Sequence, residues 1–234
     1  MKSINEFLSY KSRLNEMIRS GELEKLTYKI ISEMCLKDFV QNVIITDFNK
    51  NKIYTSSFAF YDGENIYFDY LKIIYLIVNT MPDGFSTNWQ ADYINLKLLS
   101  IMLHEIYHVM QKRKVVLNPQ SLESIILKYA YKKKNKLLEE KRYTNKFYET
   151  NPMERQASIK SLKKILDFYK NNEELISRII LSLDAQILNG YDKNDSLNVN
   201  PCNTYFEQNT NFIKENNELS YEKRIELGLP VKAI

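Results

Sequence analysis

Only two histidines occur in this chain of 234 residues, and both fall in the run His104-Glu105-Ile106-Tyr107-His108. On a helix, positions i and i+4 project from one face, a turn apart. Two imidazoles so placed can bind one Zn²⁺ through ring nitrogens about 2.0–2.1 Å from it. Glu105 follows His104 and points to one side of that face. There a carboxylate can take a proton from water without becoming a ligand, the role of a general base. The rival reading is a pair of hydrogen-bonded core histidines. Chance would place two histidines four apart, with Glu after the first, in about one such chain in a thousand. A purely structural zinc is the second rival, but such sites normally have four protein ligands and a cysteine-rich composition.

A catalytic zinc takes three protein ligands and keeps one position open. No histidine remains, and Cys35 and Cys202 are far apart with no CxxC context. A carboxylate must therefore serve, with Glu154, Glu149 and Glu123 as candidates. Ala157, one helical turn beyond Glu154, is small enough to permit close approach of another helix. Asn151 followed by Glu154 is equally the pattern of a helix capping box.

At this point the chain resembles a known family. Gln111 extends the histidine motif to HExxHxxQ, and Asn151-Pro152-Met153-Glu154-Arg155-Gln156-Ala157 is similar to NPxExxA. Together they resemble the gluzincin-like metallopeptidases found as small bacterial and phage proteins, over about residues 60–165. The resemblance implies a zincin-like fold, zinc-dependent peptide-bond hydrolysis, and Glu154, 46 residues beyond His108, as the third ligand. It also implies that an extended peptide lies along the strand Ile66 to Asp69, taken as a sheet edge. The chain departs from the thermolysin-like subgroup, with Ser158 where an Asp would orient a ligand histidine and no third histidine for the oxyanion. Tyr143, Tyr148 and Arg155 are the candidates for that last task. A metzincin pattern would need Gly and His where this chain has Gln111 and Lys114.

The elements that must position these groups are legible in outline. Helix-period apolar residues run through Ile4 to Arg19 and Leu23 to Met34, with Gly21 between as a cap. Val43-Ile44-Ile45, Ile53 to Tyr61 and Ile66-Tyr67-Phe68 read as strands. Asn49-Lys50-Asn51 marks a turn between the first two, and Asp62-Gly63 a hairpin between the last two. Leu71 to Val78 fits a helix or a buried strand, and Met81-Pro82-Asp83-Gly84 breaks the chain after it. A long helix from about Asp92 to Arg113 carries the histidines. Leu96, Leu98, Leu99, Ile101, Met102, Leu103, Ile106, Val109 and Met110 make it apolar nearly all round. One polar stripe interrupts them: Ser100, His104, His108 and Gln111. Pro119 ends that segment, Ser121 opens the next helix, and Asn151-Pro152 opens another. Leu175 to Leu188 reads as helix, the Asn-rich stretch near residue 195 as loop, and Ser220 to Ile234 as one short helix stopped by Gly228 and Pro230.

The expected fold class is α+β and zincin-like: a small antiparallel sheet packed on a buried HExxH helix, with a mainly helical C-terminal half. Residues 1–34 form an N-terminal helical segment, 35–170 the metallopeptidase core and 171–234 a helical extension. The 44% hydrophobic content supports a sizeable core, and five Gly with five Pro favour long regular elements. Net charge is +4. The excess collects in Lys112, Arg113, Lys114 and then Lys128, Lys132, Lys133, Lys134, Lys136, Lys141 and Arg142. Nucleic acid is a conceivable partner for such a run, but Glu139 and Glu140 interrupt it, and a solvated helix face is the favoured reading. The start of the chain has no apolar signal core, Leu71 to Val78 is too short to span a bilayer, and a cytoplasmic protein is expected. The expected activity is that of a zinc endopeptidase acting on a peptide or protein. The rival is an inactive zincin fold that binds a host protein or nucleic acid.

Overall fold

The computed structural model describes residues 4–53, 57–81, 87–142, 148, 151–169 and 220–228. The expected helix at Leu175 to Leu188, the Asn-rich stretch near 195, and the residues Cys202, Tyr143 and Glu149 lie outside the described residues. The architecture is α+β, mostly helical, with a three-stranded sheet. By internal contacts the chain divides into two compact units, Met1–Met110 and Gln111–Ile234.

In the first unit, α1 (Ile4–Arg19) and α2 (Glu22–Glu33) are joined through Gly21. That glycine has φ +72°, the left-handed conformation that reverses the chain at a helix end without a Cβ clash. A single 3₁₀ turn at Lys37–Phe39 leads to β1 (Asn42–Thr46), followed by β2 (Ala59–Tyr61) and β3 (Asn65–Asp69). The hairpin at Asp62-Gly63 forms as expected. Asp62 Oδ1 accepts hydrogen bonds from the backbone N–H of Glu64 and Asn65 at 2.8 and 2.7 Å, and Gly63 takes φ +108°. Burial pushes the Asp62 carboxyl up, but those N–H donors outweigh it and hold the group below its ordinary range.

The sheet differs from the expected one in two ways. Its order is β1-β3-β2, with β1 parallel to β3 and β2 antiparallel to it, so the sheet is mixed and not purely antiparallel. The turn at Asn49 to Asn51 is present, with Lys50 N–H donating to Asp47 Oδ1 at 3.1 Å, but it does not pair β1 with β2. Strand β3 is therefore central, not the edge along which a peptide was expected to lie. Its backbone already serves a neighbour on each side, and a peptide strand can add only to β1 or β2. Ile66 and Phe68 point into the core, while Tyr67 stands on the other face, stacked on Phe60 at 4.7 Å.

The ambiguous stretch after the sheet is helix α3 (Tyr70–Thr80). Asp69 caps it, accepting from the N–H groups of Leu71 and Lys72 at 3.1 Å each. Ile73, Ile74, Ile77 and Val78 are buried at the i, i+1, i+4, i+5 spacing of one helix face. Helix α4 (Thr87–Leu117) runs 31 residues, longer than expected at both ends. Tyr93 on it donates its hydroxyl to the carbonyl of Thr80 at the end of α3, 2.9 Å away. Of the apolar residues expected to be buried on this helix, Leu96, Leu98, Ile101, Met102, Leu103, Ile106 and Val109 are buried, and Leu99 and Met110 are half-buried.

The second unit takes the last turns of α4, then α5 (Leu122–Glu139), α6 (Pro152–Tyr169) and α7 (Tyr221–Glu226). Ser121 caps α5 by accepting from Ser124 N–H at 3.2 Å, and Asn151 caps α6 by accepting from Met153 N–H at 2.9 Å. Each cap is worth about 1 kcal/mol against alanine. Leu127, Ala130 and Met153 form a small apolar cluster between α5 and α6, with Val115 of α4 against it. Among the described residues no helix is long and apolar enough to cross a membrane.

Candidate metal centre

The helical turn from His104 to His108 brings the two imidazoles together without help from distant parts of the chain. Their Nε2 atoms lie 3.1 Å apart, with ring centroids at 4.7 Å and planes at 84°. Both rings are half-buried and flanked by Leu103, Ile106 and Val109, which are fully buried. Glu105 is buried beside them, one residue step around the helix from His104.

Glu154 comes from the first turn of α6. The Asn151 cap and the fixed φ of Pro152 start that helix, and Glu154 follows as its third residue. A capping role had been the rival reading for this glutamate. The Asn151 side chain makes the cap to Met153, and the Glu154 carboxylate reaches Lys134 of α5, whose Nζ lies 2.7 Å from Oε1. The side chain of Glu154 is 4% exposed and that of Lys134 is 28% exposed. One candidate ligand atom from each of His104, His108 and Glu154 lies within 4.8 Å of the other two.

This donor set suits a divalent cation of the zinc type, two imidazole nitrogens and one carboxylate oxygen. Tetrahedral zinc with bonds of 2.0–2.1 Å sets its ligand atoms about 3.3 Å apart. The histidine nitrogens are already at that spacing. Without a cation, the 3.1 Å approach is a hydrogen bond only where one Nε2 carries a proton and the other does not.

The chain matches no family model, no curated protein and no solved structure. The centre therefore stands on its own residues.

Gln111, one turn beyond His108's neighbour Tyr107 on the same helix, is buried in the second unit. Its Nε2 donates to the Met153 carbonyl at 2.8 Å and to Gln156 Oε1 at 2.9 Å. Gln156 Nε2 in turn donates to Glu123 Oε1 at 2.8 Å and to the Glu226 carbonyl of α7 at 3.2 Å. Glu123, a candidate ligand by composition alone, is thus part of a network around α6. Lys160 Nζ sits 3.0 Å from its Oε1 and Lys114 Nζ 3.4 Å from its Oε2. Burial pushes the Glu123 carboxyl up, but the charge and hydrogen bond of Lys160, then Lys114 and Gln156, outweigh it and hold the group below its ordinary value. Of the residues considered for the oxyanion, Arg155 is buried and Tyr148 is exposed.

Two residues of this neighbourhood were not singled out in the sequence, Lys134 and Gln156. Lys134 had a signal. Leu127, Ala130 and Leu137 are the buried stripe of α5, and Lys134 stands four residues after Ala130 and three before Leu137, on that same stripe. Its place inside the run Lys132-Lys133-Lys134 hid it among residues that read as a wet face.

Proposed function

We propose that this protein is a zinc-dependent peptide hydrolase, with His104, His108 and Glu154 as ligands and Glu105 as general base. The observation that carries the reading is the 3.1 Å approach of two half-buried imidazole nitrogens, with a buried carboxylate in reach and a second carboxylate alongside. Zinc bound there would supply Lewis acidity, polarising a carbonyl and making water a better acid. Glu105 takes the proton from the attacking water and passes it to the leaving amine. Leu103, Ile106 and Val109, buried on the same helix, place a low-dielectric core beside the site, where charge interactions are stronger than in water. Glu154, rather than Glu123, is the third ligand in this reading, since Glu123 is held by two lysines and a glutamine away from the imidazoles.

The test separates binding from chemistry. Purified protein loaded with zinc should carry one equivalent, and His104→Ala should lose it. Glu105→Gln should keep the metal while cleavage of an unstructured protein such as denatured casein falls by at least about 100-fold, the typical contribution of a general base. Zinc-loaded wild type that cleaves no peptide at any rate above Glu105→Gln would sink the hydrolase reading and leave a metal-binding or docking protein.

A further inference from the structure

Building on the zinc reading, we infer that Lys134 is a charge regulator of the metal centre, one that steadies Glu154 when no cation is bound and keeps cation binding weak enough to reverse. The case begins on α5, where the buried stripe of Leu127, Ala130 and Leu137 has a lysine at the position that periodicity assigns to an apolar residue. Lys128, Lys132 and Lys136 of the same helix are exposed, as lysines on a helix normally are, while Lys133 and Lys134 are half-buried. Lys134 instead brings its ammonium to 2.7 Å from Glu154 Oε1, a short charge-assisted hydrogen bond. Glu154 is the more deeply buried of the two. A carboxylate so enclosed is strongly destabilising when its cation is taken away. Lys134 therefore stabilises the metal-free fold.

The effect on metal binding has the opposite sign. The attraction between Lys134 and Glu154 is present before and after a divalent cation arrives, so it largely cancels from the binding equilibrium. What does not cancel is the repulsion between the ammonium and the incoming dication, which share one carboxylate. A competing idea is that Lys134 aims Glu154 at the metal, in which case its loss should weaken binding by about 10–100-fold, as loss of outer-shell partners does. The two ideas predict opposite signs, and an ammonium already 2.7 Å from the carboxylate that would take the dication favours repulsion.

The experiment measures zinc affinity by competition with a chromophoric chelator, on wild type, Lys134→Met and Lys134→Arg, with metal-free unfolding midpoints alongside. Methionine keeps an unbranched stem and drops the charge, and arginine keeps the charge. Expected are at least tenfold tighter zinc binding for Lys134→Met, a lower metal-free midpoint, and an affinity for Lys134→Arg close to wild type. Equal or weaker binding by Lys134→Met, with wild type binding normally, overturns the role of Lys134 alone. If Lys134→Met does not fold, Lys134→Arg and Lys134→Gln carry the comparison, and tight binding by both or by neither overturns it. Wild type that binds no zinc in excess metal overturns the centre itself.

Discussion

Glu123 and Glu154 both stand in the first turn of a helix, and lysines hold both, yet they face different tasks. Glu123 is satisfied three times over, by Lys160, Lys114 and Gln156. Its depressed carboxyl makes a pH prediction with a definite sign. The unfolded group titrates at the ordinary 4.5 and the folded group below it. Its contribution to stability is thus fully present above pH 4.5 and disappears as pH falls through the lower folded value. Glu123→Gln should lower stability by about 1–3 kcal/mol at pH 7, measured by urea unfolding. It should also flatten the loss of stability of wild type on the acid side. Acid limbs that run parallel in the two proteins would remove Glu123 as a source of that dependence. At this scale the histidine pair was readable, because four residues along a helix fix their geometry locally. Lys134 and Gln156 were not singled out, because their importance depends on which helices meet, and that is decided by packing far along the chain.

Among the elements, the least readable was the sheet. The β2–β3 hairpin is a local event announced by Asp62-Gly63, but the parallel pairing of β1 with β3 joins strands that are not consecutive, and no spacing in the sequence encodes it. Alternation showed where β3 runs and could not show that it lies in the middle. Caps were more readable: Ser121 and Asn151 each make the expected hydrogen bond to an N–H group that follows, whereas Asp69, read only as the end of a strand, also caps α3. The short helix α7 shows what a cap cannot tell. Gly228, just past it, has φ +71°, and a Cβ there would lie 2.3 Å from the Pro152 carbonyl oxygen and 3.0 Å from Gln156 N. The end of α7 therefore rests directly on the first turn of α6, the turn that carries Glu154. Gly21 is the natural comparison, with φ +72° but nothing within 4 Å of its would-be Cβ. Gly21→Ala should cost about 1–2 kcal/mol, the left-handed penalty alone. Gly228→Ala must add backbone displacement to that penalty, so its loss in urea unfolding should exceed that of Gly21→Ala by at least about 1 kcal/mol. Equal losses would mean that the contact between α7 and α6 contributes nothing.

Across the whole molecule the candidate ligands join distant stretches of sequence, two from α4 and one from α6, 46 residues beyond His108. An unfolded chain cannot hold three such groups around one ion, so a cation that binds them binds the folded state almost exclusively. Mass action then fixes the size of the effect. Zinc at 100 times its dissociation constant should stabilise the fold by about 2.7 kcal/mol, and at 1,000 times by about 4.1 kcal/mol. Removing metal with a chelator should lower the thermal midpoint, and adding zinc back should restore it in a concentration-dependent way. The same titration on His108→Ala should be nearly flat, since one imidazole and one carboxylate make a poor site. Glu105→Gln should respond like wild type, because its carboxylate is not a ligand in the proposed centre. A zinc response that survives in His108→Ala would place the ion elsewhere, and one lost in Glu105→Gln would make Glu105 a ligand and deprive the centre of its base.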